Sequence, residues 1–268
     1  MPGNSLIWSR RQIWAAAKVQ LRVVQALMIR SVMVRYGHSN LGFFWLLGEP
    51  LLLTCGVMVM WSITGAEGGH GVGVVPMALT GYSFITMWRH IVGHSTHAIQ
   101  HSSNLLYHRN IKILDIVLAD TALEFVGITS AFLTAYIPLY LYGLIGPVTD
   151  PLLLFGGFFL AAWFSFSFGL ILTGICALSE PASRFVAPIM YITLPFTGVF
   201  FMVSWLPDQY QNLILWSPLV NCIEMIRGGL FPTYLATYYY PWYVVMWCLA
   251  MTAFGIPFVH YAQEHGHN

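Results

Sequence analysis

Four histidines, His90, His94, His97 and His101, recur at i, i+4, i+7 and i+11. On a continuous helix they fall within about 60° of one another, and His108 returns to the same direction if the helix runs that far. Such a stripe supports three kinds of chemistry. His-x-x-x-His spacing can ligate a metal, as in membrane di-iron enzymes, but those sites use several such boxes with supporting carboxylates. The nearest acids along the chain are Asp115 and Asp120, so no metal ligand is assigned. Imidazoles at the mouth of a conduit would hydrogen-bond hydroxyls or acidic groups. The third reading is the polar face of a helix leaving a membrane.

Other charges lie in or beside apolar stretches. Arg30 and Arg35 precede the first of these; they suit anchoring at an anionic surface or charge-assisted contact with carboxylate or phosphate. Glu49 lies inside it, where a bare carboxylate costs about 2.5–3.5 kcal/mol on insertion scales. It must face protein, a basic partner or a water cavity. Glu224 and Arg227 are spaced i, i+3 and can pair on a helix; they suit either a local ion pair or a gate. Tyr82, Trp163, Tyr191 and Phe196 fall well inside apolar segments. Helix packing explains them, and so does a smooth aromatic lining along which sugar rings would slide.

The elements that position these residues are membrane helices. The chain has 268 residues, 57% hydrophobic and 8% charged, against about a quarter charged in a soluble domain. That composition excludes a soluble enzyme and a disordered chain. With a net charge of +1 there is no basic face for nucleic acid. The expected class is all-α and polytopic, a single transmembrane domain over 1–268. Spans need about 20 residues each, and six are expected near 42–64, 72–92, 119–143, 151–178, 185–206 and 241–262. Residues 209–231 contain Pro218, Glu224, Arg227 and Gly228-Gly229, which fit a re-entrant helical pair better than a span. With that count, ten of the eleven basic residues, including Arg89, Arg109, Lys112 and Arg184, lie on one side, and only Arg227 lies on the other. The positive-inside rule then places both termini in the cytoplasm. Residues 8–36 read as a basic amphipathic helix at the lipid interface. Arg11, Lys18, Arg22 and Gln25 share one face, and Ile13, Val24 and Leu27 lie roughly opposite. The cysteines, Cys55, Cys176, Cys222 and Cys248, are far apart and read as apolar fillers.

An energy source is missing. No G-x-x-x-x-G-K-[ST] occurs, and neither lysine, Lys18 or Lys112, follows a glycine, so the chain has no P-loop. Dense internal carboxylates for an ion relay and inverted repeats are not evident. A pump built from this chain needs ATP hydrolysis from another, and six spans enclose so little space that two copies are expected.

The run Arg35-Tyr36-Gly37-His38-Ser39-Asn40-Leu41-Gly42-Phe43-Phe44-Trp45, followed by Glu49-Pro50-Leu51, resembles the membrane subunit of bacterial capsular-polysaccharide ABC exporters. Tyr107-His108-Arg109-Asn110-Ile111-Lys112 with Leu114-Asp115 is similar to that family's cytoplasmic segment after span two. Ser217-Pro218-Leu219-Val220-Asn221 with Glu224, Arg227, Gly228 and Phe231 is similar to its segment before the last span. The resemblance implies an inner-membrane homodimer with two cytoplasmic ATPase subunits, which carry the ATP and Mg; this chain is then no enzyme and holds no cofactor. It implies a coupling helix around 97–112, a glycolipid-terminated acidic polysaccharide as cargo, a periplasmic co-polymerase-type adaptor and an outer-membrane channel. On this basis Arg30, Arg35, Glu49 and the histidines are expected at the cargo, Glu224 and Arg227 at an outer gate, and Arg109, Lys112, Asp115 and Glu180 at the ATPase. Permeases for O-antigen or teichoic acid are the nearest alternative, and a His-ligated membrane metalloenzyme is the alternative from another class.

Overall fold

The computed structural model describes residues 10–36, 41–63, 72–101, 112–231 and 235–265. All regular structure among them is helical. The order is α1 (Arg10–Tyr36), α2 (Leu41–Ile63), α3 (Val74–Thr96), the single turn α4 (Ala98–His101), α5 (Ile113–Leu141), α6 (Pro151–Leu178), α7 (Glu180–Thr193), α8 (Asp208–Ile214), α9 (Pro218–Leu230) and α10 (Pro241–His265).

α6 is the central post, packed by α3, α9 and α10. Its start is set locally. Pro151 fits the first helical position, and the Asp150 carboxylate accepts from the N–H groups of Leu152 and Leu153 at 2.9 and 3.1 Å, which satisfies two donors that the helix cannot. Its contact with α9 is made by small residues. A Cβ on Gly157 would lie 2.8 Å from Ile226 Cγ1, and one on Gly229 would lie 2.7 Å from the Asp150 carbonyl. The two backbones meet there, which is how helices gain dispersion contact when no water is available to drive them together.

α5, α6 and α10 are each long and apolar enough to cross a membrane, and α2 contributes a shorter apolar helix over Leu47–Ile63. α8 and α9 meet at 109°, with Leu215-Trp216-Ser217 between them. α10 turns Trp247, Leu249, Phe254 and Ile256 outward, a surface suited to acyl chains. The segment expected as a span over 185–206 is not one continuous helix. α7 ends at Thr193, Leu194–Thr197 forms a 3-10 turn, Gly198 takes φ +81°, and a second 3-10 turn covers Val203–Trp205. Pro195 supplies no N–H, and Gly198 turns the chain into the left-handed region that side chains disfavour.

α5 begins at Ile113, earlier than the expected 119. The backbone N–H of Lys112 donates to Asp115 Oδ2 at 3.1 Å, and an acid in the first turn suits the helix dipole. The early start draws Asp115, Asp120 and Glu124 onto one helix. α1 lies along α5, where Leu27 is buried against Ile116 and Ala119 with Val23, Val24 and Met28 around it. Replacing Gly157 with Val should overpack the α6–α9 contact by about 1–3 kcal/mol. The melting temperature of the purified protein should fall, while Gly56→Val, with nothing within 4 Å of its Cβ, should leave it unchanged.

Candidate functional site

The most concentrated polar assembly joins α1, α3 and α5. His90 and His94 lie one turn apart on α3, and Asp120 and Glu124 lie one turn apart on α5, so two polar faces meet. Glu124 is only 3% exposed. Its Oε1 accepts from Arg35 Nη1 and lies 3.3 Å from His94 Nε2, while Oε2 lies 3.0 Å from His90 Nδ1. Arg35 Nη2 donates to Asp120 Oδ1 at 2.8 Å, and Ser31 Oγ donates to the same oxygen at 2.9 Å. A carboxylate so far from water is tolerated only with partners of this kind, because an unpaired buried charge costs several kcal/mol.

Connected concavities open beside this cluster. One, of about 310 Å³, is lined by Arg35, Glu49, Arg89, His90, Gly93 and His94. A second, of about 220 Å³, shares Arg89, His90 and Gly93 and extends to His97, Ser183 and Tyr191. A smaller one, of about 80 Å³, lies between α1 and α5 beside Arg30, Arg35 and Asp120. Arg89 lies across Tyr191: its Nη2 donates to the phenol oxygen at 2.6 Å, and its guanidinium carbon sits 4.5 Å from the ring centroid. Gly93 has nothing within 4 Å of where a Cβ would be, so the absence of a side chain there leaves space. The combination of cations, imidazoles and an aromatic ring suits a ligand with acidic groups and apolar ring faces.

Of the expected cargo residues, Arg30, Arg35, Glu49, His90, His94, His97 and Tyr191 line these cavities. The histidine stripe is not continuous. α3 ends at Thr96 and His97 caps it with φ −107° and ψ 9°, so His97 opens toward α7 while His90 and His94 turn to Glu124. The side chain of His101 lies outside the described residues. Three aromatics lie elsewhere. Tyr82 packs edge-on to Trp61 at 6.1 Å, Trp163 Nε1 donates to Thr252 Oγ1 at 3.3 Å across α6 and α10, and Phe196 faces outward at 63% exposure. The sequence reading missed Glu124 and passed over Arg89. The signal for Glu124 was present, since the argument applied to Glu49 holds equally for a carboxylate about three turns into an apolar helix. Among the described residues no group of three His, Cys, Asp or Glu is arranged to hold a metal ion.

Glu224 and Arg227 form a second buried assembly on α9. Arg227 is wholly buried. Its Nη1 donates to the carbonyls of Gly198 and Phe201 at 2.7 and 2.5 Å, and Nη2 donates to Val199 at 2.7 Å. Glu224 accepts from the N–H groups of Val203 and Tyr238 at 3.3 and 3.2 Å and lies 3.8 Å from Arg227. The pair supports the unwound stretch after α7. Of the residues expected at an ATPase, Arg109 and the side chain of Glu180 lie outside the described residues. Lys112 is exposed at the start of α5. Asp115 is buried and accepts from Gln20 Nε2, so it faces α1.

The family model described as ABC-2 type transporter matches residues 22–231. The chain belongs to that family. The match runs from within α1 to the end of α9 and includes both polar assemblies. The chain is 34% identical over 250 residues to the capsule polysaccharide export inner-membrane protein CtrC of Neisseria meningitidis serogroup B, covering 93% of this chain and 94% of that protein. It is 33% identical over 241 residues to the protein of the same description, BexB, of Haemophilus influenzae, covering 90% and 91%. The polysialic acid transport protein KpsM of Escherichia coli is 25% identical over 252 residues, covering 92% and 96%. In this ABC-2 family chain, Arg227→Lys should lose the planar fork that reaches three carbonyls and destabilise the protein by about 3 kcal/mol. Glu224→Gln, which keeps an acceptor for Val203 or Tyr238, should cost less. Melting temperatures of the two purified variants give the order.

Proposed function

We propose that this chain is the permease subunit of an ATP-driven exporter that moves lipid-linked capsular polysaccharide across the inner membrane. The observation that carries the reading is the linked cavity system lined by Arg30, Arg35, Arg89, His90, His94 and Tyr191, in a chain similar over nine-tenths of its length to capsule export proteins. Arginines supply charge-assisted bonds to acidic groups, imidazoles bond hydroxyls, and Tyr191 offers a ring face. In this reading the chain binds and conducts the cargo, and the work of transport comes from ATP and Mg on a separate subunit.

The topology in this reading has six spans, with α8–α9 re-entrant before the last span and both termini cytoplasmic. The cavity system then opens toward the cytoplasm, where the cargo is delivered. Two copies enclose the conduit, with Tyr82, Trp163 and Phe196 along it and Glu224–Arg227 near its outer end. Two ATPases dock on 97–112 and beside Glu180, and an adaptor with an outer-membrane channel receives the polymer. ATP-driven separation and closure of the two copies moves it.

Deletion of the gene should leave capsule inside the cell, and the intact chain should restore it at the surface. Unchanged surface capsule in the deletion strain, with another glycan trapped inside, would overturn the assignment. Gly93→Phe should fill the cavities without overlapping a neighbour, so surface capsule should be lost while folding and membrane abundance are kept. Arg109→Glu with Lys112→Glu should leave ATP hydrolysis running without export. Wild-type export in that double variant would remove the docking assignment.

A further inference from the structure

The donors around Glu124 are the same donors that face the cavity. Arg35, His90 and His94 line the space of about 310 Å³, and all three already bond the Glu124 carboxylate. Arg89 also lines that space, with the neutral Tyr191 phenol as its hydrogen-bond partner, so a carboxylate or phosphate entering it meets one guanidinium that holds no anion and three donors that do. At Arg35, His90 and His94, binding is an exchange of one anion for another.

α1 is the element that responds to such an exchange. Its apolar hold on α5 is small, with Leu27 as its buried side chain, although it also runs beside α2. The other fixings to α5 are polar, and each ends on an acid: Gln20 on Asp115, Ser31 on Asp120, and Arg35 on Asp120 and Glu124. Trp14, Leu21, Ile29 and Val34 of α1 remain exposed. A helix fixed by a few part-buried polar bonds opens at lower cost than one fixed by a packed core. When Arg35 turns to an incoming anion, Glu124 keeps the two imidazoles, so neither buried charge is left bare.

We propose that Glu124 is a positioning residue that stands in for the anionic group of the cargo. It presets Arg35, His90 and His94, and an acidic head group, the carboxylate of a sugar or the phosphate of a lipid, displaces it from Arg35 and loosens α1. The proposal rests on the reading of this cavity as the place where the cargo's acidic end binds.

The test is hydrogen exchange of the α1 amides in the full chain, held in nanodiscs of neutral lipid. Three probes are added separately: a short-chain phosphatidylglycerol, an alkyl glucuronide and the matching neutral alkyl glucoside. Residues 20–36 should exchange roughly tenfold faster with an anionic probe, a coupling of ordinary allosteric size, and should not respond to the glucoside. A response to phosphatidylglycerol alone assigns lipid phosphate, and a response to the glucuronide alone assigns sugar carboxylate. Glu124→Gln should exchange fast without any probe and gain nothing from one, whereas Glu124→Asp should keep the response. If Glu124→Gln does not fold, Arg35→Gln reads the same release from the other side. Equal protection of wild-type α1 under all three probes, or an equal gain with the glucoside, overturns the exchange. Surface capsule is scored in the complemented deletion strain in parallel. Restored capsule with an unresponsive α1 removes this inference alone, and failure to restore capsule removes the proposed function.

Discussion

At membrane depth, every carbonyl, N–H and charge must find its partner inside the protein, because no water is present to serve as one. That constraint explains the irregular third of this fold. Where the helix after Thr193 unwinds, the carbonyls of Gly198, Val199 and Phe201 lose their helical donors, and one guanidinium replaces them. Arg227 in turn needs a counter-charge, which Glu224 supplies while also receiving two backbone N–H groups. The same logic recurs at the bend before α9. The Asn221 amide donates to the carbonyls of Leu215 and Ser217, and its oxygen accepts from the N–H of Tyr240 at 2.8 Å. A single side chain thereby closes the 109° turn and joins it to the last helix.

Much of this was legible in the sequence where composition and period dominate. The bounds of α6 are those expected because Asp150-Pro151 and the uninterrupted apolar run act at the same place. Leu27 and Val24 share one face of α1, as the helical period gives, and the structure turns that face to α5. Legibility failed where one side chain compensates for distant backbone. Residues 185–206 carry the hydropathy of a span, and the cost of breaking it at Pro195 and Gly198 is offset by an arginine twenty-nine residues beyond Gly198. No local pattern records that trade. The histidine stripe failed for a related reason. Spacing set four imidazoles on one face, but a turn at His97 interrupts the helix, and His90 and His94 meet the acid on α5.

Glu124 shows how an apolar average conceals a charge. Its neighbours on α5 are hydrophobic enough for the helix to qualify as a span, and the carboxylate persists because three donors converge on it from α1 and α3. Long-range pairs of this kind tie α1 to α3 and α5 more specifically than the small Leu27 cluster does. Apolar contact tolerates sliding, whereas two carboxylates one turn apart fix where Arg35 must sit. The register of α1 along α5 is therefore an electrostatic property.

A conduit for a long polymer must hold its cargo without trapping it. A bare cluster of Arg30, Arg35 and Arg89 in a cavity partly shielded from water would bind an acidic end tightly, since each charge-assisted bond there is stronger than in water. Neutralising Arg35 in advance with Asp120 and Glu124 changes that balance. The net gain on binding becomes the difference between two similar sets of bonds, while the geometry of the donors is kept. Setting Arg89 against the Tyr191 ring has a related consequence, because the guanidinium already has a partner and the ring still lines the cavity. In the proposed function, selectivity for an acidic, ring-containing ligand would thereby be retained at modest affinity, and a modest affinity would permit release at each step.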